Sequence, residues 1–346
     1  MADQTSIEWT DSTWTPVKGC TRKSDGCRNC YAEIMAARFS GPGQWGEGLA
    51  TIVKTPQGKD HRWTGEVRFD EAELLKPLRW KRPRKVFVCS TADLFHEDVP
   101  DEWIDRVFAV MALCPQHIFQ VLTKRADRMR EYLAARSGMG SAPICQAINM
   151  IPNGMGNRHG ALSMPLRNVW LGVSVEDQQR ADERIPDLLA TPATVRWLSC
   201  EPLLGRLSLR HLQYDGMTNI DALTGDHGVI LPLRGRGRKL DWIVVGGESG
   251  PGARPMHPDW ARSLRDQCAE AGVPFFFKQW GEWYPHPSGE ALTIRQYNNQ
   301  IAYIDVDTGA QKHHPNRHTD ATMRRIGKKA AARLLDGREW NEVLSS

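Results

Sequence analysis

Residues 85–124 read KVFVCSTADLFHEDVPDEWIDRVFAVMALCPQHIFQVLTK, and the reading of this stretch decides the fold class. KVFVCS (85–90) and HIFQVLTK (117–124) are short β-branched and aromatic runs that end in polar residues. Between them, DEWIDRVFAVMAL (101–113) repeats its apolar residues at helical spacing. Strand, helix, strand in that order is a βαβ unit, which sets its two strands parallel.

The same rhythm continues along the chain. NVWLGVSVED (168–177), TVRWLSCEP (194–202), DWIVVGGESG (241–250) and PFFFKQWGEW (274–283) read as further strands. ADRMREYLAAR (126–136), DERIPDLLA (182–190) and HPDWARSLRDQCAEAG (257–272) read as the helices among them. A strand near Trp14–Val17 raises the number to about seven, enough for a complete or partial (β/α) barrel. The expected organisation is an α/β barrel over residues 1–283 with insertions at 137–167 and 208–240. A hairpin and a helix, joined by a basic linker, extend it over 284–346.

Polar residues gather just after each strand core. They are Ser90, Thr91 and Asp93; Lys124 and Arg125; Ser174, Glu176 and Asp177; Glu201; Glu248 and Ser249; Lys278 and Gln279. In a barrel these positions lie at the carboxyl ends of the strands, the face where such sites are built. Gly246 and Gly247 in VVGGESG permit either a close backbone approach to a ligand or a tight strand-to-loop turn. Glu201, ending an apolar strand, faces either a cation or the site. Trp9, Trp14, Trp242, Trp280 and Trp283 are core residues or the lining of a pocket for a planar base.

Composition narrows the class. The chain has 346 residues, 40% of them hydrophobic and 25% charged, with a net charge of +4, a weak lean towards acidic partners. LRWKRPRK (78–85) and HHPNRHTDATMRRIGKK (313–329) are basic enough to meet a nucleic-acid backbone or to be ordinary solvated surface. No apolar stretch is long enough to span a bilayer, and MADQTSIEWTD has no secretory pattern, so the expectation is a cytoplasmic protein without a membrane partner. In a reducing compartment the eight cysteines are not a disulfide framework.

Three of them, Cys20, Cys27 and Cys30, crowd into CTRKSDGCRNCYAE (20–33). Three thiolates can bind zinc with a fourth ligand such as His96, Glu176 or His257. They can also hold a [4Fe-4S] cube with one iron open. Spacing alone leaves both readings open, and that of three unliganded thiols as well.

The segment TPVKGC…GCRNCYAE resembles the cluster loop of radical S-adenosylmethionine (SAM) enzymes of the spore photoproduct lyase-like group. Over most of its length the chain is also similar to the phage Gp37/Gp68-like family, through IEWTDSTWTPVKGC, VFVCSTADLFHE, NVWLGVSVEDQ, RWLSCEPLLG, DWIVVGGESGPGARPMHPDW and RIGKKAAARLLDGREW. Six residues stand between the first two cysteines where the common radical SAM motif has three, and Asn29 replaces an aromatic.

The resemblance implies a barrel of radical SAM type in which Cys20, Cys27 and Cys30 ligate a [4Fe-4S] cluster. SAM binds the fourth iron, an external electron donor reduces the cube, and the 5′-deoxyadenosyl radical takes a hydrogen from substrate. It further implies SAM-binding roles for Ser90, Thr91 and Asp93 near the amino group, for Ser174 and Glu176 near the ribose or carboxylate, and for Tyr31 against adenine. Glu201, Gly246, Gly247 and Glu248 complete the cofactor candidates. Cys200, as a hydrogen donor, and Lys278 are the candidate catalytic residues; Glu176 is alternatively a structural partner of Lys124 or Arg125. The expected substrate is nucleic acid, DNA ahead of RNA, in lesion repair by a lyase or in base modification. The competing readings are a zinc-dependent hydrolase and a non-catalytic, cluster-stabilised nucleic-acid-binding protein.

Overall fold

The computed structural model describes residues 5, 7–55, 58–137, 141–152, 162–214, 218–228, 237–286, 301–312 and 320–344. It is a mixed α/β protein with a seven-stranded parallel sheet. The strands are β1 (Ser12–Trp14), β2 (Lys85–Val88), β3 (Ile118–Thr123), β4 (Val169–Ser174), β5 (Val195–Cys200), β6 (Trp242–Gly246) and β7 (Phe275–Gln279). They follow one another in the sheet in chain order. Sequential parallel order is what repeated βαβ units produce. With β1 and β7 ending the order, it is that of a partial rather than a complete (β/α) barrel.

The helices of eight or more residues among those described are α1 (Tyr31–Arg38), α2 (Asp101–Leu113), α3 (Ala126–Ala135), α4 (Ala142–Met150), α5 (Gln178–Ala190) and α6 (Pro258–Ala271). Two compact units divide the chain: residues 1–173 with 190–196, and residues 174–189 with 197–345.

In the first unit, β1 pairs with β2 (Thr13 opposite Phe87), β2 with β3 (Phe87 opposite Gln120) and β3 with β4 (Gln120 opposite Trp170). Val86, Val88, Phe119 and Val121 are buried, as are Ile104, Val107, Phe108 and Met111 of α2, the i, i+3, i+4, i+7 stripe seen in the sequence. Residues 137–167 are not simply a loop. They contain α4, which packs against α2; residues 138–140 and 153–161 lie outside the described set.

In the second unit, β5, β6 and β7 are paired, and α6 is capped by His257, whose Nδ1 accepts the Asp259 N–H at 3.1 Å. The stretch 208–240 carries a three-stranded antiparallel sheet (Leu212–Tyr214, Thr218–Asp221, Asp226–Gly228). The basic run at 233–236 and most of the expected hairpin, 291–300, lie outside the described residues, as does 313–319 of the second basic patch.

The C-terminal segment departs from expectation. Ala321–Arg325, read as part of a basic linker, is a strand paired with Trp283–Pro285 and Ile301–Ile304. The final helix is only Lys328–Ala331. It stops because Ala332 turns to φ +54°, after which the chain runs beside β7, Phe277 N–H donating to Trp340 O at 2.9 Å. Backbone groups committed to a strand edge are lost to a helix ladder.

Candidate functional site

The cysteine loop is built from two tight turns. A short 3-10 turn spans Asp25–Cys27, and Cys30 then caps α1. Upstream, Gly19 adopts φ +90° and passes so close to residue 66 that a Cβ would stand 2.0 Å from the Glu66 carbonyl oxygen. No other residue fits there. The loop is clamped at both ends by one ion pair: Arg22 donates to both carboxylate oxygens of buried Glu33 in α1, at 2.6–3.2 Å. Glu33 Oε1 also accepts the Trp63 N–H at 2.7 Å.

Cys20, Cys27 and Cys30 are each half-buried as residues. Burial pushes Cys20 up, and Asp93, Cys30 and Cys27 add to the rise against the pull of Arg125. Burial lifts Cys30 as well, opposed by the amides of Glu33 and Ala32 and by Lys124. Cys20 donates to its neighbour's carbonyl at Thr21 (3.3 Å), and Cys27 Sγ accepts the Lys23 N–H (3.5 Å). With the side chains so turned, no group of three or more His, Cys, Asp or Glu among the described residues is arranged to hold a metal ion. The donor chemistry nevertheless fits a thiolate-bound metal or cluster: three sulfurs on one loop, close enough that Cys27 adds to the rise at both Cys20 and Cys30, held by S–H···O and N–H···S contacts that are weak.

Behind the loop stands a buried polar core. Asp93 accepts four hydrogen bonds: from Phe95 N–H (3.0 Å) and Thr123 Oγ1 (2.7 Å) at Oδ1, and from Lys124 N–H (3.2 Å) and Arg125 Nη1 (3.0 Å) at Oδ2. Arg125, also buried, donates through Nε to Glu97 (2.6 Å) and through Nη2 to Thr21 Oγ1 (2.8 Å), and its Nη1 lies 4.0 Å from Cys20 Sγ. Burial alone would lower the guanidinium's pKa, yet Asp93, Cys20 and Glu97 lift it above its ordinary value. Its cationic state is therefore fixed. His96 Nε2 meets Thr21 Oγ1 at 2.8 Å, and its Nδ1 accepts the Asp98 N–H at 3.2 Å.

Ser90 and Thr91 are half-buried on the loop after β2, where the exposed Tyr31 ring reaches over and donates its hydroxyl to the Ser90 carbonyl. Cys89, just before them, holds φ +54°, a left-handed conformation unusual for a side chain and worth about 1 kcal/mol of strain. In the first unit the structure thus brings together Cys20, Cys27, Cys30, Tyr31, Ser90 and Asp93, with Lys124 and Arg125. Sequence reading missed Thr21, Arg22, Glu33 and Glu97; the only signal for the last three was charge within the cysteine loop and in the FHED segment, and Thr21 had none.

The remaining candidates belong to the second unit. Glu176 is fully buried and pairs with Arg184 at 3.1 Å. Ser174 Oγ donates to the Glu201 carbonyl at 3.5 Å. The Glu201 carboxylate faces a cation: Lys278 Nζ at 2.7 Å, with Gln279 Nε2 at 2.9 Å. Glu248 is occupied by Arg254 at 2.7–2.9 Å. A Cβ on Gly246 would meet Glu201 Oε1 at 3.2 Å, and one on Gly247 would meet the Trp280 carbonyl oxygen at 2.0 Å. The close approach at Gly247 is therefore between two stretches of the chain itself. Cys200 has no exposed surface, and burial, then Cys268 and Glu176, raise its thiol well above the usual value.

The tryptophans offered as a base pocket are buried core, and four have satisfied indole N–H groups: Trp14 to Glu73 O, Trp242 to Glu342 O, Trp280 to Leu334 O and Trp283 to Ala253 O. In the first basic patch Arg84 stacks on Trp80 at 4.9 Å, while Arg79, Lys81 and Arg82 are exposed. No helix of the described residues is long and apolar enough to cross a membrane.

The chain belongs to a protein family of unknown function, DUF5131, whose model matches residues 4–344. No curated protein and no solved structure matches it.

Proposed function

We propose that the protein is a radical SAM enzyme in which Cys20, Cys27 and Cys30 hold a [4Fe-4S] cluster, and that its substrate is nucleic acid, DNA ahead of RNA, in lesion repair or base modification. The observation that carries this reading is the cysteine loop itself: three thiols between β1 and α1, backed by a buried cation 4.0 Å from Cys20 Sγ. His96, the one proposed fourth zinc ligand in the same unit, already uses both ring nitrogens, which favours a three-ligand set over a four-ligand zinc site.

Cys20, Cys27 and Cys30 would hold the cluster, which would supply the electron for reductive cleavage of SAM, with an external donor to replenish it. The chain's own residues hold and charge-balance the ligands. Arg125 stabilises the Cys20 thiolate, and Lys124 and the first amides of α1 act on Cys30. Arg22 and Glu33 fix the loop's span, and the Tyr31 hydroxyl ties α1 to the loop after β2. Ser90 and Thr91, half-buried on that loop, remain the candidates for contacts to SAM; the Asp93 carboxylate is spent on the protein's own donors.

The test is metal and acid-labile sulfide on anaerobically purified protein, with electron paramagnetic resonance after reduction, before and after SAM. About four iron and four sulfide, with a spectrum perturbed by SAM, support the reading. One zinc without sulfide removes it.

A further inference from the structure

Ala50–Thr55 and Gly58–Trp63 form an antiparallel ribbon in the first unit that the cofactor chemistry does not use. Thr51, Ile52, Val53 and Lys54 are all exposed, so both faces of that strand meet solvent. Ile52 is 52% exposed and Val53, on the opposite face, 42%. Lys54 and Lys59 are directly opposed in register, and neither has a carboxylate partner among the described residues. Like charges so placed destabilise a two-stranded ribbon, which is marginal on its own. Asp60, the ribbon's acid, is committed to Arg62 at 2.6 Å and Arg22 at 3.5 Å.

The base of the ribbon, in contrast, is firmly held. Leu49 and Ala50 pack with Ala36, Ala37, Trp45 and Trp63, and the Arg22–Glu33 pair that clamps the cysteine loop also grips the His61 carbonyl (2.9 Å) and the Trp63 N–H (2.7 Å). Lys23 and Arg28 are exposed on that same loop. A cationic ribbon with exposed apolar side chains is thus fixed rigidly to the candidate cluster loop.

We propose that this ribbon is the substrate-docking element and that its partner is double-stranded DNA, entered through the major groove; the proposal rests on the nucleic-acid reading above. Charge complementarity selects a polyanion. Groove dimensions select the duplex: a two-stranded ribbon fits the roughly 12 Å major groove of B-form DNA, whereas the deep, narrow major groove of A-form RNA excludes it. Six residues per strand reach about 20 Å, enough to cross the groove. Lys54 and Lys59 take phosphates, and Ile52, two residues from Lys54 on the same face, offers apolar contact to a thymine methyl group or a base step.

The test is fluorescence anisotropy of the full chain with a duplex DNA of about 20 base pairs, the matching single strand and the matching duplex RNA, across salt concentrations. Lys54→Ala/Lys59→Ala weakens duplex-DNA binding about tenfold or more and lowers the salt slope by about 2. Ile52→Ser weakens binding at an unchanged slope. Unaltered melting temperatures show that both variants fold. Equal binding by wild type and variants, tighter binding of duplex RNA, or self-association lost in the variants without an effect on DNA would each overturn the proposal. Iron content and SAM cleavage by the wild-type chain, measured without nucleic acid, separate the two readings. Cleavage without duplex binding removes the ribbon's role alone, and ribbon-dependent binding without iron removes the enzyme alone.

Discussion

Arg125 Nη1 donates to Asp93 Oδ2 at 3.0 Å, and both side chains are buried. Among the described residues Asp93 is the only carboxylate on that nitrogen, and three further donors share its two oxygens. The pair fastens the loop after β2 to the end of β3, directly behind Cys20. Its loss acts on the scaffold before it acts on any ligand.

Asp93→Ala is therefore expected to destabilise the protein by about 3–5 kcal/mol, because it strands a buried guanidinium and three other donors. Urea unfolding of wild type and variant reads this directly. A variant of wild-type stability with impaired SAM binding alone would return Asp93 to the role that its sequence position implied.

Single substitutions of Cys20, Cys27 or Cys30 by alanine are expected to abolish iron incorporation. Cys114→Ala and Cys268→Ala are expected to retain it, since both thiols are buried and burial pushes their pKa up to about 12, where they stay protonated. Iron and sulfide analysis of the five variants checks this. Iron retained after loss of any one loop cysteine would contradict the three-ligand assignment.

Most of the strands were legible because they bury a nearly continuous β-branched or aromatic run, and residues 169–174 and 242–246 are buried throughout. The thiol cluster was legible because cysteine spacing is local. The partners of the acids were not. Glu176 to Arg184 is eight residues away along α5, but Glu201 to Lys278 spans 77 and Asp93 to Arg125 spans 32, distances that only the sheet closes. Glycine at 247 was ambiguous for the same reason, since the carbonyl it accommodates belongs to Trp280. The ribbon at 50–63 carries a local turn signal, PQG, but its significance lies in exposure, which spacing does not encode.

A pH effect follows from His117, which is fully buried beside Trp80 and Phe119. Burial, aided by Arg84, lowers its pKa below the ordinary 6.5. The unfolded chain then binds this proton more readily than the folded one, so stability is lost as pH falls through 6.5 towards the lowered folded value. Urea unfolding of His117→Gln at pH 7.5 and 5.5 is expected to show a smaller loss between the two pH values than wild type. Equal losses would mean that this imidazole titrates normally.

Gly247 distinguishes a structural glycine from a ligand-facing one. A Cβ there would stand 2.0 Å from the Trp280 carbonyl oxygen and 2.7 Å from its carbon, both backbone atoms that no rotamer change can move aside. The crossing is reciprocal: Gly281, at φ +82°, passes the Glu248 carbonyl so closely that its own Cβ would come within 2.0 Å of that oxygen. Hydrogen bonds from Gly247 N–H to Gln279 O (2.9 Å) and from Glu282 N–H to Glu248 O (3.1 Å) lock the two segments together. Gly247→Ala must separate them and is expected to cost more than about 3 kcal/mol. Gly205→Ala is the control, since its new methyl would meet only the Asp177 side chain and backbone at 3.4 Å and beyond, and it should cost less than about 1 kcal/mol. Thermal unfolding of the two variants reads the difference. A Gly247→Ala protein that melts with wild type but loses ligand binding would show that the glycine is kept for a ligand and not for the crossing.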